Sequence, residues 1–258
     1  KFSLFGLINK VLSYKSTCFI TNLKTPIKGF EEFKKFLKFE VHFNQTLFMP
    51  IFFNQKLSKS QILCVWKIEE DISFYTAYLG ISENQIEELS NSTHPQKQLE
   101  WLASRTCLKF ACKEMGIEFL GVWKDEFSNP CLVNHHANIS ITHAEKFAAI
   151  SINLEKPVGL DTEKISSKLE RVAKRFLSEN EINVLDGTPE QIGVYWCAKE
   201  SLYKWYGKKK MSLRDNIYIK PFTTQTNSIV GVVDFEDIIE ELTLKVFYWE
   251  DYILTVTI

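Results

Sequence analysis

The stretch PEQIGVYWCAKESLYKWYG, residues 189 to 207, decides how the rest of the chain is read. Pro189 suits the first turn of a helix and Gly207 its end, so the spacing predicts one helix between them. Trp196, Glu200 and Lys204 are four residues apart and share one face of it. A carboxylate and an ammonium on the same stripe as a tryptophan admit two readings. One is a solvated i,i+4 ion pair beside the core, with Glu in the favoured N-terminal position. The other is a carboxylate and a lysine that meet a ligand.

Working outward from that helix, the residues after it are strand-like. NIYIKPF, SIVGVVDF, LTLKVFYWE and YILTVTI follow one another to the C-terminus. Before it, SSKLERVAKRFLSENEINVL reads as a helical region broken near Ser178, and VGLDTEKI as a strand. ANISITH and KFAAISINL are strands about a turn, and FLGVWKDEFSNPCLV gives two more about Asn129-Pro130. HPQKQLEWLASRTCLKFACKEMG (94–116) is the longest helical pattern, with Pro95 in its first turn and Gly116 at its end. ISENQIEELSN (81–91) is a helix with Ser82 and Gln85 as a capping box, and ILCVWKI (62–68) a strand. Helices followed by runs of antiparallel-looking strands make the fold class α+β.

The bulk composition excludes several classes. Apolar residues are 45% and charged residues 24% of 258, as in ordinary globular chains. Net charge is −1, which does not point to nucleic acid. Residues 1–48 nonetheless hold 8 Lys and 3 Glu, leaving 23 basic and 29 acidic residues in the remainder. An anionic substrate therefore needs a local basic patch on an acidic body. The six cysteines form no CxxC pair and no zinc-site spacing, so they read as reduced thiols of a cytoplasmic protein. No apolar run reaches the ~20 residues of a membrane span.

Phe5, Ile8 and Leu12 have the spacing of a short amphipathic helix. Composition changes at Met49, and residues 1–48 are expected to be an extension, with the working protein starting near Met49. Met49 as an ordinary core residue is the alternative.

Four constellations could carry chemistry. In VGLDTEKI, Asp161 and Glu163 are two apart on a strand and share a face. Their oxygens could converge on a hard cation such as Mg²⁺, or be two surface acids. Gly159 would allow a neighbouring backbone to approach closely. The second constellation is Glu200 with Lys204. In NISITH, Thr142 and His143 end a strand before a turn, where polar side chains reach ligands; a satisfied structural histidine is the bland reading. GKKKMSL places three lysines after the helix, either solvated or beside an anionic partner. His135 and His136 read as loop residues with no assigned role.

In this order, the pieces resemble the 4′-phosphopantetheinyl transferases. VGLDTE is similar to that family's G-[IV]-D-x-E strand. WCAKESLYK, whose Glu200 lies 37 residues after Glu163, is similar to its W-x-x-K-E-x-x-x-K helix. SITH resembles its S-[IFL]-[ST]-H strand, Arg105 an arginine upstream in the larger, Sfp-type members, and KKKMSL their G-K-G-L-S-L segment. The resemblance spans roughly residues 60 to 220 and omits 1–48.

The resemblance implies transfer of the phosphopantetheine arm of coenzyme A to a serine of an apo acyl or peptidyl carrier protein, releasing adenosine 3′,5′-bisphosphate. This is holo-carrier-protein synthase activity, of service to fatty-acid, polyketide or peptide synthesis. It further implies that Asp161, Glu163 and Glu200 hold Mg²⁺, and that Glu200 helps deprotonate the serine. Lys204 would neutralise phosphate charge. Arg105, Thr142 and His143 would bind the phosphates of the adenosine half, with Lys199 a lesser participant. Two similar halves, 49–150 and 151–258, would be related by a pseudo-twofold with the site in the cleft between, in a monomer. Two departures stand out. Asn129 occupies the lysine of the family's G-K-P turn, with Lys124 a candidate replacement. The GKKKMSL loop is one residue longer than its counterpart and lacks the second glycine. The rivals are a transferase-like module that only docks carrier proteins, and another metal-dependent phosphoryl enzyme such as a nuclease.

Overall fold

In the computed structural model, residues 51–258 are described, apart from 83, 84 and 209. They fall in one compact unit, Pro50–Ile258. The expectations for residues 1–48 and for Met49, and the part assigned to Lys209, lie outside the described residues.

The chain runs β1 (Ile51–Lys56), β2 (Gln61–Lys67), α1 (Ile72–Leu79), α2 (Ile86–Ser90), α3 (Pro95–Glu114), β3 (Val122–Lys124), β4 (Pro130–Leu132), β5 (Asn138–Ala144) and β6 (Phe147–Asn153). It continues β7 (Leu160–Lys164), α4 (Ser167–Val172), a 3₁₀ turn (Ala173–Arg175), α5 (Glu179–Asn183), α6 (Pro189–Tyr206), β8 (Ile217–Ile219), β9 (Ser228–Phe235), β10 (Ile238–Trp249) and β11 (Tyr252–Thr257).

The strands form two antiparallel sheets, ordered β1-β2-β6-β5-β4-β3 and β7-β11-β10-β9-β8. Apart from β1, the two orders are the same path walked twice. One strand enters, helices follow and end in a long helix (α3 or α6). Four strands then return until the last pairs with the first. The α+β class with two similar halves is thus the architecture found. The passage between sheets occupies residues 154–159, and the expected boundary at 150 falls within β6.

Local chemistry explains the two long helices. Thr188 caps α6 by accepting the Gln191 N–H at 3.2 Å, Pro189 fills the first turn, and Gly207 ends it at φ 72°. Helix α3 begins with Pro95. The inner face of α6 buries Val194, Tyr195, Ala198 and Leu202 against Ile217, Ile229, Leu244 and Ile253 of the second sheet. Trp196 packs edge-on against Phe176 with ring centroids 5.0 Å apart, which seats α6 on the turn before α5.

The two halves meet through a mixed core of Leu63, Val65, Phe147 and Ala149 with Leu160, Tyr252, Leu254 and Val256. Polar stitches flank it. The backbone N–H groups of Leu160 and Thr162, on the edge of the second sheet, donate to Ser140 Oγ at 3.0 Å and Thr142 Oγ1 at 3.4 Å. Alternate hydroxyls of β5 thereby satisfy alternate donors of β7, as the period of two on both strands requires.

Two elements escape the sequence reading. Helix α1 is capped by Asp71, which accepts the Phe74 N–H at 2.9 Å. Strand β1 pairs with β2 despite a register shift between Ile51 and Phe53. Helix α2 is shorter than its pattern suggested, starting only at Ile86. No described helix is long and apolar enough to cross a membrane.

Candidate active site

The site is built where α6 crosses β7. Gly159 makes that crossing possible: a Cβ there would stand 1.8 Å from the Ser201 carbonyl oxygen and 2.6 Å from the Trp205 nitrogen. With only hydrogen at that point, the helix backbone lies directly on the start of the strand. One turn further along α6, Lys204 Nζ donates to Asp161 Oδ1 at 2.7 Å and to the Leu160 carbonyl at 3.1 Å.

Asp161 is nearly buried and accepts a second bond, from Thr142 Oγ1 at 3.0 Å. Thr142 therefore serves the carboxylate and the β7 backbone with one hydroxyl. Its expected role as a phosphate contact gives way to that of a brace between β5 and β7, because both its donor and an acceptor position are used.

Glu163 and Glu200 are partly buried and belong to the same electrostatic group. Burial pushes the Glu200 carboxyl above the ordinary range. Asp161 adds to this, Lys204 opposes it, and Glu163 adds again. The Glu163 carboxyl is raised first by burial, against the Lys164 backbone bond, and then by Asp161 and Glu145. Glu200, half-buried, makes no hydrogen bond or ion pair to the described residues.

Among the described residues, no three His, Cys, Asp or Glu side chains form a ready metal shell. Three like charges repel, and Lys204 draws Asp161 to itself. The donor chemistry nonetheless suits a hard divalent cation: Asp161, Glu163 and Glu200 are electrostatically coupled carboxylates.

His143, at the end of β5, lies with its Nδ1 3.0 Å from Glu100 Oε2 on α3. Its imidazole is held below the usual histidine range, chiefly by burial. Glu100 opposes this, while Lys97, Lys204 and Arg105 reinforce it. Arg105 stacks its guanidinium 5.0 Å from the Trp101 ring and has no acidic partner among the described residues. Burial brings its pKa down to about 10. It lines a cavity of about 550 Å³ with Trp101, Lys109, Trp123 and Lys124. Lys204 and Lys208 line a neighbouring cavity of about 800 Å³ with Asn129, His135 and His136, and the two cavities share Trp123 and Pro130.

The structure takes Lys199 out of the ligand-binding set. It is fully buried, and its ammonium donates to Glu181 Oε2 at 2.7 Å and to the carbonyls of Leu213 and Ile217 at 2.9 and 2.6 Å. One residue from Glu200 on a helix means a turn of about 100°, and that rotation points it into the second half. Asn129, in place of the family's lysine, is also occupied, donating to Asp125 and to the Gly207 carbonyl at the end of α6.

Two acids of this region went unread in the sequence. Glu181 completes a capping box with Ser178, so the S-x-x-E at 178–181 was its signal. Glu100 carried no comparable signal.

Residues 157–257 match the family model described as the 4′-phosphopantetheinyl transferase superfamily. That span runs through β7 to β11, with Asp161, Glu163, Glu200 and Lys204. This part of the chain is therefore similar to the 4′-phosphopantetheinyl transferase superfamily. The chain is 30% identical over 108 residues to the 4′-phosphopantetheinyl transferase gsp of Aneurinibacillus migulanus, across 40% of this chain and 45% of that protein. It is 28% identical over 100 residues to a holo-[acyl-carrier-protein] synthase of Staphylococcus epidermidis, across 34% of this chain and 84% of that protein. The chain thus spans less than half the length of the first of these relatives. In superfamily terms, the matched span carries the D-x-E and K-E-x-x-x-K motifs; the SITH strand and Arg105 lie outside it.

Proposed function

We propose that the chain transfers the 4′-phosphopantetheine arm of coenzyme A to a serine hydroxyl of an apo carrier protein. The observation that carries this reading is the meeting of Lys204 with Asp161 beside the charge-coupled Glu163 and Glu200. It lies inside the span matching the superfamily.

Asp161, Glu163 and Glu200 would hold Mg²⁺, which supplies charge neutralisation at a pyrophosphate when bound. The chain's own groups do the rest. The Lys204 ammonium, already fixed by two acceptors, stands ready to neutralise charge on phosphate oxygens as the bond to adenosine 3′,5′-bisphosphate breaks. The Glu200 carboxylate takes the proton of the serine Oγ as that oxygen attacks phosphorus. A carboxyl raised above its ordinary range is a better base for this than a solvated one. His143, once protonated, and Arg105, a cation without an acidic partner among the described residues, would bind the phosphates of the adenosine half.

The repeated strand order supports the larger, two-half type, which would act as a monomer. Halves of 51–153 and 160–258 would divide it. A cytoplasmic location agrees with the free thiols of Cys64, Cys107, Cys112, Cys131 and Cys197.

The test is to incubate the protein with Mg²⁺, coenzyme A and a panel of apo carrier proteins, and to weigh the carriers. A gain of one phosphopantetheine arm on a serine supports the reading. Carrier binding without mass gain on any carrier would leave a docking module, and cleavage of nucleic acid instead would favour the nuclease rival.

A further inference from the structure

Glu100 is a buried carboxylate that the transfer reaction does not call upon. Its side chain is 4% exposed, yet it accepts two hydrogen bonds and lies against an imidazole nitrogen. Gln96 Nε2 reaches Oε1 at 3.3 Å, while Lys97 Nζ at 2.9 Å and His143 Nδ1 at 3.0 Å share Oε2. Gln96 and Lys97 belong to the same helix, one turn earlier, and Lys97 is 61% exposed. Among the described residues, the one polar group brought to it from another element is the His143 imidazole. Burying a carboxylate is costly unless it is paired, so the contact between α3 and β5 is what this placement serves.

We propose that Glu100 is a positioning residue for His143: its buried carboxylate, 3.0 Å from Nδ1, fixes the ring orientation and holds a proton on Nδ1, so that Nε2 is the nitrogen that takes up a second proton and donates it to an anionic ligand. The tautomer follows from the chemistry of the pair. An ionised carboxylate only accepts, so the nitrogen against it carries the proton. Nε2 is then the free nitrogen of a ring that is 36% exposed. The groups acting on this ring are Glu100 and the cations Lys97, Lys204 and Arg105. Glu100 is the acid set against those three cations, so it also keeps the imidazole compatible with positive neighbours that an anionic ligand would satisfy. That the ligand is a phosphate of coenzyme A rests on the reading of His143 given above; the tautomer does not.

The test uses the full chain labelled with ¹⁵N and long-range ¹⁵N–¹H correlation of its imidazoles. Neutral His143 is expected as the Nδ1–H tautomer, and Glu100→Ala is expected to convert it to the Nε2–H form that a free imidazole prefers in water. Glu100→Gln keeps a carbonyl acceptor and is expected to retain Nδ1–H, which supplies the answer should the alanine variant fail to fold. A wild-type His143 with the proton on Nε2 overturns the proposal.

Coenzyme A affinity, by calorimetry, is the second arm. Glu100→Ala and His143→Ala are each expected to weaken binding on the order of tenfold. The double variant is expected to be no weaker than His143→Ala alone, since Glu100 acts through His143. Losses that multiply overturn the proposal. A wild type that binds no coenzyme A counts against the transferase reading, and the imidazole spectra then decide the role of Glu100 by themselves.

Discussion

Lys204 and Asp161 meet across two elements of the second half, the ammonium 2.7 Å from Oδ1, at the point where α6 lies on β7. Neither residue is placed by its own chemistry. Gly159 lets the helix backbone touch the strand, and Thr142 braces the carboxylate from the first half. The site is therefore as good as the joint that carries it.

The joint gives the first prediction. Gly159→Ala inserts a methyl where the Ser201 carbonyl already stands, and backbone on both sides cannot rotate away. Urea unfolding is expected to show a loss of at least about 3 kcal/mol, beyond common overpacking costs. A variant within roughly 0.5 kcal/mol of wild type, the scale of neutral surface changes, would mean that α6 does not press on β7.

Thr142 gives the second. Thr142→Val removes the donor to Asp161 and leaves the Thr162 N–H without its acceptor, in a buried setting. A loss of about 1–3 kcal/mol is expected, together with a fall in transfer rate. Thr142→Ser keeps the hydroxyl and should recover most of both. Equal stability of the valine and serine variants would show that the bridge contributes nothing.

How much of this was legible beforehand depends on the range of each interaction. The α6 helix, its caps at Pro189 and Gly207, the break at Ser178 and the closing strands are written in short-range periodicity and turn chemistry. The close approach at Gly159 was readable too, because a glycine before a D-x-E strand has few other uses. What eluded reading depends on rotation and on distant partners. Lys199 looks like a site residue in one dimension, and only the turn of the helix sends it to Glu181. Thr142 looks free until β7 arrives beside it. Glu100 becomes meaningful only when β5 lays His143 against α3.

The third prediction concerns that buried pair. Lys199→Met strands the Glu181 carboxylate in the core, where both partners are fully buried. A cost of about 3–5 kcal/mol is expected. Glu181→Gln should cost a similar amount, because it leaves the buried Lys199 ammonium unpaired and turns a donor NH2 toward either the Ile219 N–H or the Ser178 N–H. A cycle with both changes should show strong coupling in denaturant unfolding. Independent, additive losses would contradict the pairing.

The fourth concerns pH. The Glu163 and Glu200 carboxyls are raised above their ordinary range, chiefly by burial. The folded chain thus binds more protons than the unfolded chain between the ordinary and raised values. Stability from these groups is present below that window and falls as pH climbs through it. Glu200→Gln removes one such charge. In chelator, its melting temperature is expected to exceed wild type by a few degrees at pH 7, with the gap closing near the ordinary carboxyl value of about 4. Adding Mg²⁺ should raise the wild type more than the variant. An unchanged gap at all pH values would separate Glu200 from the other two acids.

The most direct measurement is the intact mass of an apo carrier protein after incubation with coenzyme A, Mg²⁺ and either wild type or Glu200→Ala. Circular dichroism would first verify that the two fold alike. The account predicts that wild type adds one phosphopantetheine arm and that Glu200→Ala slows this by on the order of a hundredfold or more. A Glu200→Ala enzyme with full rate and unchanged Mg²⁺ dependence, or a wild type that modifies no carrier, would contradict it.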